Sequence, residues 1–355
     1  MLPKFFVALF LAAFTFSANS QQQKSGYLQS ATDGVRALQG WYTQSTGLYQ
    51  TTGWWNSANS ITVLANYARL SGNKEYQPVF ANTFRQAQET SAGFLNDYYD
   101  DEGWWALAWI DVYDLTHERQ YLTMSRAIFT DMSHAWDSTC GGGIWWSKDR
   151  KYKNAIANEL FLSVAAHLAA RATDPKQRAQ YLEWAHKEWA WFSNSGMINA
   201  QHLINDGLDD ACKNNQKTTW TYNQGVILGG LAELNKIAPD PALPATAQSI
   251  AVAAIENLAD AKGVLHDTCE PNCGSDGVQF KGIFMRNLME LNSAFPNLRY
   301  RKFFALNADS IVKNAQGPDH HFGEVWSGPF KTGNAASQTS ALDALIAAAE
   351  VKSPQ

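Results

Sequence analysis

Two adjacent carboxylates stand at the mouth of the most apolar stretch of this 355-residue chain: "FLNDYYDDEGWWALAWIDVYDLT", residues 94–116, sets Asp100 and Asp101 directly before a run of Trp, Ala and Leu. Two acids flanking a scissile bond are the machinery of glycoside hydrolysis, one acting as nucleophile or base and the other as proton donor. Asp before a helix is also a cap that suits the positive end of the helix dipole, and this accounts for most such pairs. One cap, however, needs only one Asp. The neighbouring Tyr98, Tyr99, Trp104 and Trp105 supply rings of the kind a carbohydrate groove uses. If the two carboxyl groups lie about 5–5.5 Å apart the outcome is retention, and the charge of the first raises the proton affinity of the second.

The elements that must position this pair are legible from apolar periodicity, which predicts helix after helix and almost no alternating strand. Segments 27–43, 74–92, 118–136, 176–195, 244–261 and 299–315 are amphipathic. Between them lie six segments apolar nearly all round, among them "GWWALAWIDVY", "ELFLSVAAHLAA", "QGVILGGLAEL" and "GIFMRNLMEL". A helix that is hydrophobic on every side is buried on every side. Outer and inner helices in alternation give an all-α fold, an (α/α)6 barrel of six inner helices ringed by six outer ones. Links from inner to outer helices are short, such as "LTHER", whereas links from outer to inner are long, such as "DSTCGGGIWWSKDRKYK". In an alternating barrel every long link falls at the end where the inner helices begin. Long structured loops are usually functional, so that end is the expected working face, and Asp100 and Asp101 sit on it.

Residues 1–20 combine an early Lys, an apolar core and a small-residue end, the pattern of a secretory signal segment, which leaves 21–355 as a single catalytic barrel. No other apolar run reaches membrane length, and the ending lacks the spacer and tail of a lipid-anchor signal, so a secreted protein without an anchor is expected. The net charge of −5, with no block of like charges, argues against nucleic acid or an anionic membrane as partner. Four cysteines, Cys140, Cys212, Cys269 and Cys273, suit an oxidising compartment and allow three pairings. Spacing favours Cys269 with Cys273, leaving Cys140 with Cys212, and a secreted chain without matching His spacing makes disulfides the better reading than a metal site. No cofactor or metal is called for, and a monomer is expected.

The run "YYDDEGWWALAWI", with "WWNSAN" before it and "CGGGIWW", "KNAIANELF" and "TYNQGVILGGL" after it, resembles glycoside hydrolase family 76, the endo-α-1,6-mannanases and their fungal cell-wall relatives. The likeness covers nearly the whole chain after residue 20. It implies an (α/α)6 barrel that cleaves α-1,6-linked mannan with retention, with Asp100 as nucleophile and Asp101 as acid/base. Many fungal relatives are lipid-anchored, and the ending here departs from them, which favours a released hydrolase acting on α-mannan or mannose-containing oligosaccharides. A transglycosylase acting on mannose-containing glycans and a non-catalytic glycan-binding barrel are the rival readings.

The other inner-helix starts supply further candidates for sugar contact: Trp55 and Asn56 in the first long link, Tyr99 beside the acids, Trp145 and Trp146 in the third, and Asn223, Gln224 and Lys281 at later helix starts. Each has a structural alternative as cap, brace or core. Asp206, in "LINDGLDD", is the stronger candidate, a third acid able to hold mannose hydroxyls; the stretch lacks the alternation of an EF-hand loop. His320 and His321 read as loop surface, since adjacent residues do not share a helix face.

Overall fold

The computed structural model describes residues 5–351, with side chains from Gln22 onward. The expected signal segment therefore lies outside the residues whose side chains are described. Among the described residues, no helix is long and apolar enough to cross a membrane.

The inner helices are α2 (Trp54–Ser71), α4 (Tyr99–Thr116), α6 (Ala155–Arg171), α8 (Thr221–Ile237), α10 (Phe280–Ala294) and α12 (Ala335–Glu350). They alternate in the chain with the outer helices α1 (Phe5–Gln39), α3 (Gln77–Gln86), α5 (Arg119–Ser133), α7 (Pro175–Asn194), α9 (Ala242–Asn257) and α11 (Leu298–Ser310). Each inner helix packs on the next, and α12 packs back on α2, so the ring closes as an (α/α)6 barrel. Burial explains the sorting. On α5 the buried residues Tyr121, Leu122, Ser125, Ile128, Phe129 and Met132 form one stripe at helical spacing. On α6, by contrast, fourteen of seventeen residues are buried. Two glycines let inner helices touch backbone to backbone: a Cβ on Gly225 would lie 2.6 Å from Phe284 Cα, and one on Gly282 2.5 Å from Ser340 Cα.

Outer helices end earlier than periodicity predicts, α3 and α1 among them. Helix α3 ends at Gln86, and the chain continues through short 3-10 turns interrupted by Gly93 at φ 68°. Helix α1 stops before Gly40, after which Tyr42–Thr43 (β1) pairs antiparallel with Leu48–Tyr49 (β2).

The long links carry a repeated device. Asn158 on α6 accepts from the Ile144 N–H at 2.7 Å and donates to the Ile144 carbonyl at 3.0 Å. Gln224 on α8 holds Ile204 in the same way, at 2.7 and 2.8 Å. Gln338 on α12 accepts from Phe322 N–H at 2.8 Å and donates to the carbonyls of His320 and Gly34 at 2.9 Å each. The three clamped residues are fully buried and sit in single antiparallel bridges. Backbone groups this deep must find partners, and an amide side chain supplies donor and acceptor together.

Candidate active site

The six links are chained to one another around the rim. Thr51 of the first accepts from Ala335 N–H beyond the sixth at 3.1 Å, and Trp55 Nε1 reaches Asp276 of the fifth at 3.0 Å. Trp146 of the third donates through Nε1 to Asp100 Oδ2 at 2.9 Å, and Tyr152 of the third donates to Asp206 Oδ2 of the fourth at 2.6 Å. Asp267 of the fifth caps α8, accepting from the Thr221 N–H at 3.0 Å and its hydroxyl at 2.6 Å. The fifth and sixth meet where Cys273 N–H donates to Glu324 Oε1 at 2.9 Å. Both disulfides, Cys140–Cys212 and Cys269–Cys273, form on this collar, the first joining links three and four.

Within the collar Asp100 and Asp101 open α4, with Glu102 completing an acidic first turn at the positive end of the helix dipole. Asp100 accepts two hydrogen bonds, from Trp146 and from the Asp101 N–H at 3.1 Å. Asp101 Oδ2 accepts one, from Asn96 Nδ2 at 2.6 Å. Burial, and then the charge of Asp101, pushes the Asp100 carboxyl well above the ordinary range, while burial raises Asp101 to about 6 against the Asn96 bond that lowers it. Both shifts favour the protonated form, so the pair gives up its protons at higher pH than ordinary carboxyls do.

The floor is aromatic. One turn into α4, Trp104 lies on the same face as Asp100 and stacks with Trp55 (centroids 5.7 Å) and Tyr222 (6.5 Å); Tyr222 stacks on Phe280 at 3.7 Å. Tyr98, 40% exposed, leans on Trp146 at 4.9 Å beside the acids. Tyr222 stands amid Asp100, Asp206, Glu159 and Asp276, and burial, then these charges, raises its phenol well above normal, so its O–H stays available as a donor. Trp55, Trp146, Asp206 and the acid pair are thereby brought together at one end of the barrel.

Five side chains expected at the sugar are engaged by the protein itself instead. Asn56 is fully buried, accepting from Gly53 N–H at 3.0 Å and donating to Gln279 Oε1 at 2.9 Å. Gln224 is the clamp on Ile204. The Lys281 ammonium is buried between Glu270 and the Glu324 carbonyl, tying links five and six. Tyr99 is buried with Lys148 at 5.5 Å from its ring, and Trp145 donates to Asp137 at 2.7 Å under the Lys153 ammonium. Asn223 is fully buried with no hydrogen-bond partner on its amide. Sequence reasoning missed Asn96, Asp276 and Glu159. Glu159 is buried, neither oxygen has a partner, and burial and then Asp206 hold its carboxyl well above the usual range.

The sequence pattern described as Glycosyl hydrolase family 76 matches residues 11–354. The chain belongs to this family of glycosidases. Its fold agrees: the family 76 chain superposes on an inactive variant of the GH76A α-1,6-mannanase of a Salegentibacter species, two neighbouring aspartates replaced by asparagine, in complex with α-1,6-mannotriose. That match has a TM-score of 0.81 at 22% identity and covers 91% of this chain and 99% of the other. Dfg5 from Chaetomium thermophilum, in complex with glucosamine, matches with a TM-score of 0.81 at 22% identity, covering 91% and 90%. In sequence, this glycosidase is 27% identical to the mannan endo-1,6-alpha-mannosidase DCW1 of Saccharomyces cerevisiae, covering 95% of this chain and 82% of the relative.

Proposed function

We propose that this glycosidase is a secreted, endo-acting α-1,6-mannanase that cleaves with retention. The observation that carries the reading is the unequal treatment of two neighbouring carboxylates at the end of an aromatic groove. Burial raises both carboxyls, Asp100 more than Asp101, so the pair shares a proton, and the two donors on Asp100 favour the microstate in which Asp100 is charged and the proton rests on Asp101. Asp101 protonates the glycosidic oxygen as Asp100 attacks the anomeric carbon; the leaving sugar departs, and a glycosyl–enzyme bond forms. Asp101, now ionised, takes a proton from water, whose oxygen displaces Asp100 and restores it as carboxylate. Two inversions at one carbon amount to retention. Trp55 and Tyr222, backed by the buried Trp104, stack the chain, and Asp206, fixed by Tyr152, accepts hydrogen bonds from sugar hydroxyls. The name of the yeast relative and the mannotriose bound to the structural neighbour support α-1,6-mannose as substrate. The pattern of residues 1–20 supports export, with the remainder acting as one barrel.

The test is digestion of linear α-1,6-mannan, with product anomers followed by NMR and with an acceptor oligosaccharide added in a parallel reaction. The α-anomer should form first, and Asp100→Asn and Asp101→Asn should each lower turnover by about three orders of magnitude or more while the fold persists. Initial β-product refutes retention, and near-normal turnover in either variant refutes the assignment. Products extended by the acceptor in preference to hydrolysis would make the enzyme a transglycosylase.

A further inference from the structure

At the C-terminal ends of the inner helices a cavity of about 470 Å³ opens, lined by Asp111, His167, Glu233, Arg286, Glu290 and Asp343 among others. Arg286 lines this cavity and also reaches the Trp104 ring of the floor. From α10 its guanidinium pairs with Asp343 of α12 at 3.0 Å, donates to Asn59 of α2, and lies 5.6 Å from the centroid of the Trp104 ring on α4. Four of the six inner helices therefore meet at one side chain. Both halves of the ion pair are shielded, with 11% of the Arg286 side chain and 2% of Asp343 exposed.

Trp104 is 3% exposed, and the ring has the Trp55 and Tyr222 stacks beside it. It has the shape of a platform that needs support on the lumen side, and a planar cation fixed at its other end by a carboxylate provides that support without the freedom of an alkyl chain.

We propose that Arg286 is a positioning residue for the glycan groove: braced by Asp343 and Asn59, it holds Trp104 in the stack one turn below Asp100. It touches no substrate. Its effect reaches the sugar through Trp104, and this rests on the reading of Asp100 and Asp101 as the machinery for mannan cleavage.

The experiment compares Arg286→Met, which keeps the length and loses the charge, with Arg286→Lys, which keeps the charge and loses the planar face. KM and kcat on α-1,6-mannooligosaccharides, melting temperature and a crystal structure are recorded for each. Arg286→Met is expected to raise KM about tenfold with a smaller fall in kcat, and Arg286→Lys to recover part of the loss. The crystal structures should show the Trp104 ring turned out of its stack on Trp55. A purely structural role would lower the melting temperature and leave KM at the wild-type value; that result overturns the proposal, whether read on Arg286→Met or, should the methionine variant fail to fold, on Arg286→Lys. The ring position needs no substrate. An unmoved Trp104 overturns the proposal by itself, while a wild-type enzyme inert on mannan sinks the substrate reading and leaves the crystallographic result to decide this one.

Discussion

Replacing Trp146 by Phe removes one atom group of consequence, the indole N–H that donates to Asp100 Oδ2 at 2.9 Å, and keeps a ring against Tyr98. That N–H lowers the proton affinity of a carboxyl which burial and the Asp101 charge raise. A hydrogen bond to a charged group contributes about 1.5–3 kcal/mol. The lower end applies here, because the Asp101 N–H remains on the other oxygen at 3.1 Å and Asp100 is not sealed from the groove. At about 1.4 kcal/mol per unit, losing the bond moves the Asp100 titration upward by about one pH unit. Less nucleophile is then ionised at neutral pH. The acid limb of kcat/KM should shift up by that unit, with rates below the limb falling about tenfold and the alkaline limb, which belongs to Asp101, staying nearly in place. The assay is kcat/KM on α-1,6-mannotetraose from pH 4 to 9 at constant ionic strength, with melting curves to show that the variant is folded. An acid limb that coincides with the wild-type one refutes the reasoning, and a shift of the alkaline limb alone would exchange the roles of the two acids.

Trp109→Ala empties a site bounded by Phe84, Phe94, Trp105 and Tyr121, all with centroids within 5.6 Å, and should cost about 3–5 kcal/mol by chemical denaturation; a loss under about 1 kcal/mol means the neighbours close the gap. Stability should also depend on pH. Burial raises Glu102 to about 8 and Asp343 to about 7, and raises Glu159 and Glu188 as well. The unfolded chain loses these protons near pH 4, so the folded state binds more protons between about 4 and 8 and stability falls as pH rises through that window. His167, lowered to about 4 by burial, acts in the opposite sense only below about 6.5. Melting temperature should therefore drop from pH 6.5 to pH 8, and a rise over that interval contradicts the account.

The twelve helices were legible because burial on one side or on all sides is written in the apolar pattern of each segment. The α3 boundary was less so, since 3-10 turns from Ala87 onward stand where the pattern to residue 92 would carry the helix on. The acid pair was legible from chemistry and position. Its partners were not: Trp146 lies 46 residues from Asp100, and only the fold brings them together. Asn96 is different, five residues before Asp101, and a polar side chain so close to an acid at a helix start was a readable signal. Gln224 and Asn56 show the limit from the other direction. An amide near the start of an inner helix has the same sequence appearance whether it faces a sugar or a loop backbone, and here the loops need it.

Closure of the barrel also has a meaning in time. Helix α12 packs between α10 and α2 and against α1, and Gln338 on it donates to the Gly34 carbonyl, 304 residues earlier. A chain emerging from a ribosome thus has no complete barrel until α12 is out. Until then the flanks of α2 and α10 that α12 covers stay open, and the nascent protein presents two greasy edges to holding chaperones. Loss of that helix should leave a gapped, adhesive intermediate, because five inner helices spaced for six have no smaller ring in which to settle.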